Sequence, residues 1–215
     1  MSATTMLEHN LKRPEGARLP KASHGVAAVE FAMLALVFFT LVFGIIEITR
    51  LLYVYNTLQE VTRRAAAGAA NVYARNAEGL SEVRHDALFR TNLGHLPLIS
   101  TVTEASVRID YLALTRDSTG AMTLAEIPEG ALPSCAGQNR QICTSNPNAA
   151  NCIRFVRARI CDPSMSGACS AVRSDLLVPF VSLHVALHKA TTIATAESLG
   201  YMPGDPPCAA PASAL

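Results

Sequence analysis

The longest stretch of apolar residues lies near the N-terminus of the chain. From Phe31 to Ile46 it reads FAMLALVFFTLVFGII, without a charge, and extended back to Val26 it contains one ionisable residue, Glu30. As a helix, residues 26–46 would span about 31 Å, which matches the ~30 Å hydrocarbon core of a bilayer. A core helix of a soluble domain has a polar stripe on its solvent side, and this segment has none. The pattern therefore predicts a transmembrane helix over residues 26–48.

A cleavable secretory signal is the alternative interpretation of such a segment. A signal of that kind has an apolar stretch of roughly 7–15 residues, followed by a cleavage site with small residues. Here the apolar run is longer, and it continues into Glu47, Ile48, Thr49 and Arg50, which do not form such a site. The sequence therefore favours an anchor that is retained.

Basic residues predict the orientation of this helix. Four of them precede the apolar run, namely Lys12, Arg13, Arg18 and Lys21. The first basic residue after the run is Arg50. Because positively charged flanks stay on the cytoplasmic side of a membrane, we expect residues 1–25 to form a cytoplasmic basic leader and residues 50–215 to lie outside.

The helical pattern continues past the apolar run. Apolar residues recur at helical spacing, at Val54, Leu58, Val61, Ala65 and Val72. This periodicity predicts that residues 49–78 extend the same helix, giving one helix over about 26–77. Residues 65–70 are all small, and such a face lets another surface approach closely. That surface is either the chain's own domain, the more common case, or another subunit.

The rest of the sequence alternates between strand and turn patterns. Apolar residues alternating with polar ones, and a turn signal at residues 117–120, are typical of half-buried antiparallel strands. Strands are predicted at 107–111, 122–127, 153–160 and 190–196.

Less regular segments separate these strands. A short helix is expected over residues 81–93, with Ser81 as its N-cap. Residues 128–151 are rich in glycine, proline and asparagine and predict a loop, residues 176–187 are ambiguous, and residues 203–215 predict a disordered tail. We therefore expect an α+β fold, with the long N-terminal helix packed on a small antiparallel sheet. The head of this fold covers residues 79–202.

The six cysteines all lie on the predicted outer side, at Cys135, Cys143, Cys152, Cys161, Cys169 and Cys208. An even count in an oxidising compartment suggests up to three disulfides, whose pairing the sequence leaves open. Free buried thiols are the alternative. Cys135 and Cys143 are expected to staple the loop over residues 128–151. There is no Cys-x-x-Cys motif, so neither a redox centre nor a zinc ribbon is indicated.

Glu30 is the one carboxylate of the apolar run. A charge inside a membrane costs roughly 2.5–3.5 kcal/mol on insertion scales, which makes this residue a functional candidate. It either lies near the headgroups and favours the N-terminal helix dipole, or it has a charged partner. Cleavage after Gly25 would create an α-amine on Val26, four residues away and on the same helix face. Gly25 suits a protease, because a residue without a side chain lets the backbone enter an active site extended.

The sequence around these residues resembles a known family. The heptapeptide GVAAVEF at residues 25–31 is similar to the prepilin-peptidase site of the Flp/Tad pilus system. The longer stretch from AAVEFA through FGIIE to YVYNTLQ, residues 27–59, resembles the TadE-like proteins. A weaker similarity, to the closing strand of that family, lies at residues 192–196. Arg63 of the family's next motif is present, whereas its glycine and second arginine are absent, and the cysteine-rich insert is longer than in a minimal member.

The resemblance implies a pilin-like architecture and a part in Flp/Tad (type IVc) pilus biogenesis as a membrane-anchored pseudopilin. It implies cleavage after Gly25 by a prepilin peptidase, with Val26, Glu30 and Phe31 taking part in recognition or packing. The implied partners are the inner membrane, the peptidase, other Tad pilus minor pilins and proteins of the assembly machinery. The implied location is the bacterial inner membrane, with a periplasmic C-terminal domain. The protein would then be a substrate and not an enzyme, without a cofactor.

Few residues indicate catalytic or metal chemistry. His184 and His188 are four positions apart, which would suit a metal on a helix, but no third ligand is indicated, and we expect surface or packing histidines. Arg154, Arg157 and Arg159 predict a solvated face, with a patch for an anionic partner as the alternative. The sequence contains no nucleophile-elbow, phosphate-loop or zinc-protease motif. We therefore expect neither a catalytic nor a metal site.

Two other functions stay open at this point. One is an uncleaved single-pass membrane adaptor or sensor, whose periplasmic head binds a partner. The other is an anchored periplasmic enzyme, which requires a deep polar pocket with perturbed titratable groups in the head.

Composition narrows these choices. The chain of 215 residues is 50% apolar and 16% charged, with a formal net charge of +1. Such values argue against disorder throughout, which needs low hydrophobicity and high net charge. They also argue against nucleic-acid binding, which needs a strong basic excess. Much of the low charge comes from the apolar run itself, so it is largely a membrane signal.

Overall fold

A computed structural model describes residues 24–89, 94–165, 169–175, 184–187, 189–204 and 208. The chain divides into two compact units, Met1–Val42 and Phe43–Leu215. The first helix, α1, covers His24–Ala69 and contributes to both units.

In the first unit, the apolar side chains of α1 are exposed. They include Val26, Val29, Phe31, Met33, Leu34, Leu36, Val37, Phe38, Phe39 and Leu41. A helix of a soluble core would bury such residues, whereas a lipid-facing helix leaves them uncovered. Among the described residues, α1 is the one helix long and apolar enough to cross a membrane. It is compatible with a single-pass anchor.

The second unit contains two more α-helices and eight strands within the described residues. The helices are α2 (Ala77–Ala87) and α3 (Ala136–Ser145). The strands are β1 (His95–Leu96), β2 (Ile99–Thr103), β3 (Val107–Arg116), β4 (Met122–Glu126), β5 (Phe155–Ile160), β6 (Arg173–Asp175), β7 (His184–Ala186) and β8 (Thr191–Thr195).

The central sheet has four strands in the order β4-β3-β5-β8, and each neighbouring pair is antiparallel. Two short antiparallel pairs, β1-β2 and β6-β7, accompany it. In the register of the central strands, Asp110 is opposite Arg157 and Tyr111 is opposite Val156. A long N-terminal helix together with a small antiparallel sheet confirms the predicted α+β class.

The hydrophobic core lies between α1 and the inner face of the sheet. Leu58, Val61 and Ala65 of the helix belong to one buried cluster with Val107 and Ile160 of the sheet. Thr62 and Thr192 join their hydroxyls at 2.9 Å across the same interface. The helical spacing of these apolar residues therefore identified the face of α1 that packs on the head.

The small residues near the end of α1 pack within the chain's own head. Ala65 and Ala66 belong to the cluster just described, and Ala69 and Ala70 to a second buried cluster, with Tyr111. A Cβ on Gly68 would meet a methyl of Val83 on α2 at 3.0 Å. A larger side chain at these positions would push the helix away from the head.

The first helix ends earlier than its periodicity predicts. It stops at Ala69 instead of continuing to about residue 77, because the next residues turn and bond to the segment after β8. The carbonyl of Ala70 accepts the backbone N–H groups of Glu197 and Leu199, at 3.2 and 3.1 Å. The chain thus replaces a further helical turn by a tertiary cap.

The second helix begins earlier than predicted. Asn76 caps it by accepting the N–H of Gly79 at 3.0 Å, so Ser81 lies inside the helix and is not its N-cap. A Cβ on Gly79 would come within 2.9 Å of Val72, which explains why a glycine occupies this turn.

Residues 128–151 are more regular than the predicted loop. They contain α3, which begins after Cys135 and is flanked by Pro133 and Pro147. Asn139 is buried in this helix, where its side chain accepts the N–H of Ile153 at 2.8 Å. The many turn residues at both ends of this segment favoured a loop in the sequence analysis, which therefore missed the short polar helix between them.

The six cysteines form three disulfides, Cys135–Cys208, Cys143–Cys152 and Cys161–Cys169. Cys135 and Cys143, expected to staple the predicted loop, bond to Cys208 and Cys152 respectively. Cys208 ties part of the predicted tail to the head. The rest of residues 205–215 lies outside the described residues.

An ion-pair cluster covers part of the outer face of the sheet. Asp110 is only 5% exposed in its side chain and contacts three arginines, Arg108 at 3.0 Å, Arg157 at 3.1 Å and Arg159 at 2.5 Å. Glu126 on β4 joins Arg157 at 2.5 Å. The sequence predicts a solvated face for the arginines of β5. Arg157 and Arg159 are partly exposed, at 21% and 19% in their side chains, because Asp110 on the neighbouring strand pairs with both and shields them.

Replacing Asp110 by alanine should lower the free energy of unfolding by about 1–3 kcal/mol, because three arginines lose a buried partner. The matched change Glu126→Ala removes a carboxylate that is 43% exposed and should cost about 0–1 kcal/mol. Urea unfolding of the full-length protein in detergent, followed by circular dichroism, measures both. Equal losses in the two variants would contradict the role of Asp110.

The disulfides should differ in their effect on stability. Cys135–Cys208 closes a loop of 73 residues and Cys143–Cys152 one of 9. In the chain-entropy model, replacing the first pair by serines should cost about 4 kcal/mol and replacing the second about 3 kcal/mol. The same urea unfolding assay compares the two double variants. A larger loss for the short loop would show that loop closure does not set the order.

Candidate functional site

The predicted cleavage segment lies at the very start of α1. Gly25 is the second residue of that helix, and its backbone has no atom within 4 Å of the position where a Cβ would be. Val26 and Phe31 are also exposed, the latter by 73%. Within the described part of the chain, Gly25, Val26 and Phe31 are therefore left uncovered.

Val26 and Glu30 share a face of α1. They are four residues apart in a continuous helix, and both are exposed. In the uncut chain the nitrogen of Val26 is an amide without charge. Cleavage would turn it into an amine, which at this spacing can pair with the Glu30 carboxylate in the same chain or in a neighbour.

A second polar feature of α1 follows the apolar stretch. Glu47 and Arg50 form an ion pair at 2.8 Å, with side chains 7% and 9% exposed. Arg50 also donates to the carbonyl of Leu98 at 3.1 Å and to the hydroxyl of Ser174 at 3.3 Å. The pair thus joins α1 to the turn between β1 and β2 and to β6.

The sequence analysis missed this pair. It used Arg50 only as a flanking charge and Glu47 only as the end of the apolar run. An acidic residue three positions before a basic one on a helix is a signal for an ion pair. That the head would bury both side chains follows from the tertiary structure and not from this spacing.

Shifted pKa values in the head have structural causes. Burial raises the pKa of Tyr111 and also that of Tyr73. Hydrogen bonds from Thr119 and Ser164 lower the pKa of Asp117 and Asp162, which lie in exposed turns. These shifts arise from core packing and turn geometry and do not indicate a set of catalytic groups.

The sequence indicates no metal site. In the described residues, no group of three or more His, Cys, Asp or Glu side chains is placed to hold a metal ion. Of the His184 and His188 pair, His188 and the side chain of His184 lie outside the described residues.

The comparisons with known proteins bear on α1. The model of the TadE-like protein family matches residues 25–67. Neither the curated proteins nor the solved structures contain a match to the chain. The matched segment begins at Gly25, includes Glu30, Glu47 and Arg50, and leaves the sheet outside. The resemblance predicted from the sequence is therefore confirmed over residues 25–67, which are similar to the TadE-like family, whereas the weaker similarity at residues 192–196 lies outside the match.

Proposed function

We propose that this protein is a membrane-anchored, pseudopilin-like component of Flp/Tad (type IVc) pilus biogenesis, processed after Gly25 by a prepilin peptidase. The observation that carries the proposal is the TadE-like match over residues 25–67. It coincides with a helix whose apolar side chains are exposed along the first unit. On this proposal the protein is a substrate and a structural partner, not an enzyme.

The proposed topology follows the charges and the cysteines. Residues 1–25 form the cytoplasmic basic leader, residues 26–48 cross the inner membrane, and residues 49–78 continue into the periplasm. The periplasmic head covers residues 79–202 and the tail residues 203–215. All three disulfides lie in the head and tail, which suits an oxidising compartment.

Processing has a physical role in this proposal. The uncut chain holds a basic leader in the cytoplasm, and it has no positive charge on Val26 to neutralise Glu30 at the start of the span. Cutting after Gly25 removes the leader and supplies a positive charge on Val26. The new ion pair lowers the free-energy cost of placing Glu30 in lipid. The mature helix can then leave the surface of the bilayer, or it can pack beside another subunit. Phe31 adds an exposed aromatic group next to this pair.

The proposed partners are the peptidase, the other Tad pilus minor pilins and proteins of the assembly machinery. The exposed apolar side of α1 supports a contact with other helices in the membrane, since helices associate there through close packing. The head supplies a separate folded surface in the periplasm.

Replacing Gly25 by leucine should prevent processing, because a side chain at this position obstructs the extended backbone in the protease. Gly44→Leu is the matched control, since neither glycine has an atom within 4 Å of its Cβ position and neither change disturbs the fold. Mass spectrometry of the N-terminus in cells with an active prepilin peptidase should find Val26 first in the wild type and in Gly44→Leu. A wild-type chain that begins at Met1 or Ser2 would support the uncleaved adaptor or sensor instead.

Replacing Glu30 by glutamine should leave cleavage intact and impair pilus assembly, because the Val26 amine then lacks its carboxylate. Glu60→Gln changes a partly exposed carboxylate on the same helix, one that pairs with Arg64 at 2.8 Å, and should assemble normally. Mature mass and the amount of surface pili are measured for both. Wild-type pilus levels in Glu30→Gln would remove the proposed role of the ion pair.

A further inference from the structure

The turn between β1 and β2 carries an unusual residue. Pro97 and Leu98 are the two residues of this hairpin turn, since Leu96 pairs with Ile99. Leu98 has a φ of +66°. A positive φ at the second central residue, after a proline, is what a type II turn requires, and glycine or asparagine is the usual residue there. A leucine in this conformation is a clear outlier.

Leu98 is also exposed. Its surface is 60% accessible, although the neighbouring Leu96 and Ile99 are buried. In water, a leucine at this position combines a disfavoured backbone conformation with an exposed apolar side chain. Neither feature stabilises the fold. Backbone outliers of this kind are a reason to look for a function.

An ion pair fixes the height of this turn along α1. The carbonyl of Leu98 accepts a hydrogen bond from Arg50, which is paired with Glu47. Helical side chains lean toward the N-terminus, so the guanidinium of Arg50 lies over the helical turn that contains Glu47. The hairpin turn between β1 and β2, which Arg50 contacts, therefore lies level with the end of the proposed span, residues 26–48.

The helix is still apolar at this level. Ile45, Ile48 and Leu52 follow each other at helical spacing and are all more than half exposed. The apolar surface of the span thus continues past Glu47 on the part of α1 that the head leaves uncovered. A lipid surface that covers the span also reaches this level.

We propose that Leu98 is a second membrane contact, which inserts into the interfacial region of the outer leaflet and seats the head on the lipid. The inference rests on the proposed anchoring of α1 in a membrane. Continuity with that span and the height set by Arg50 favour lipid over a protein partner. One exposed leucine on a tight turn offers far less than the ~800 Å² per partner of a stable protein interface. Beside an existing anchor, a small apolar insertion adds to membrane binding.

The chain contains no tryptophan, so a single introduced tryptophan is a clean fluorescent probe. The full-length protein is reconstituted in vesicles of phosphatidylcholine and phosphatidylglycerol, with bromine placed either shallow or deep on the acyl chains. Three variants are compared: Leu98→Trp at the turn, Leu36→Trp in the middle of the span, and Leu124→Trp on β4. Leu124 is also an exposed apolar residue of the head, at 47%.

Leu98→Trp should lose most of its emission with shallow bromines, and Leu36→Trp with deep ones. Leu124→Trp should be quenched by aqueous acrylamide and not by either lipid. Pro97→Trp is a second probe of the same turn, at a position that does not need a positive φ, and should behave as Leu98→Trp does. Matching circular dichroism spectra show that the variants fold.

The outcomes separate the two proposals. If Leu36→Trp is quenched while both turn probes behave like Leu124→Trp, the anchor stands and the lipid contact of Leu98 is wrong. A turn probe with blue-shifted emission that neither lipid quenches would indicate a protein contact and would also overturn it. If Leu36→Trp itself is unquenched, the membrane anchoring fails, and the contact of Leu98 fails with it.

Discussion

The packing of α1 on the inner face of the sheet is the interaction on which the rest of the head depends. Leu58, Val61 and Ala65 contribute apolar surface that is fully buried there, at about 25 cal/mol for each Å² removed from water. Once this face is covered, the inner side of the central strands is buried, and their outer side carries the ion-pair cluster. The end of α1, the disulfides and the short hairpins surround that contact.

The side chains of α1 are exposed in its first part and buried on one face in its second part, and the sequence shows where this change occurs. From Phe31 to Ile46 its side chains are apolar apart from Thr40, and most of them are exposed. From Val54 onward one face alone is apolar, and the head buries it. Glu47 and Arg50 lie between these regimes as a paired charge. The TadE-like match covers both parts of the helix. It therefore includes the apolar, exposed stretch and the apolar face that the head buries.

Local patterns predicted most of this fold. The spacing of Val54, Leu58 and Val61 is a property of the helix itself, and the alternation around β3 and its turn is equally local. Tertiary contacts decided what the patterns missed. The carbonyl of Ala70 is capped from residues far away in sequence, and Asp110 pairs with two arginines that the neighbouring strand β5 brings to it, besides Arg108 on its own strand. In the candidate site, Gly25 and Glu30 stay predictions from the sequence, and they could be proposed there because their chemistry depends on spacing along one helix. The Glu47–Arg50 pair needed the fold, since its burial comes from the β1-β2 turn and β6.

The attachment at the end of α1 has a mechanical consequence. Ala70 is held by the segment after β8, and that segment leads to Cys208, which is covalently bound to Cys135 beside α3. A force that pulls on the helix along its axis therefore passes through the carbonyl of Ala70 into the segment after β8, which is an edge strand of the sheet. The Cys135–Cys208 disulfide ties the same segment to the start of α3.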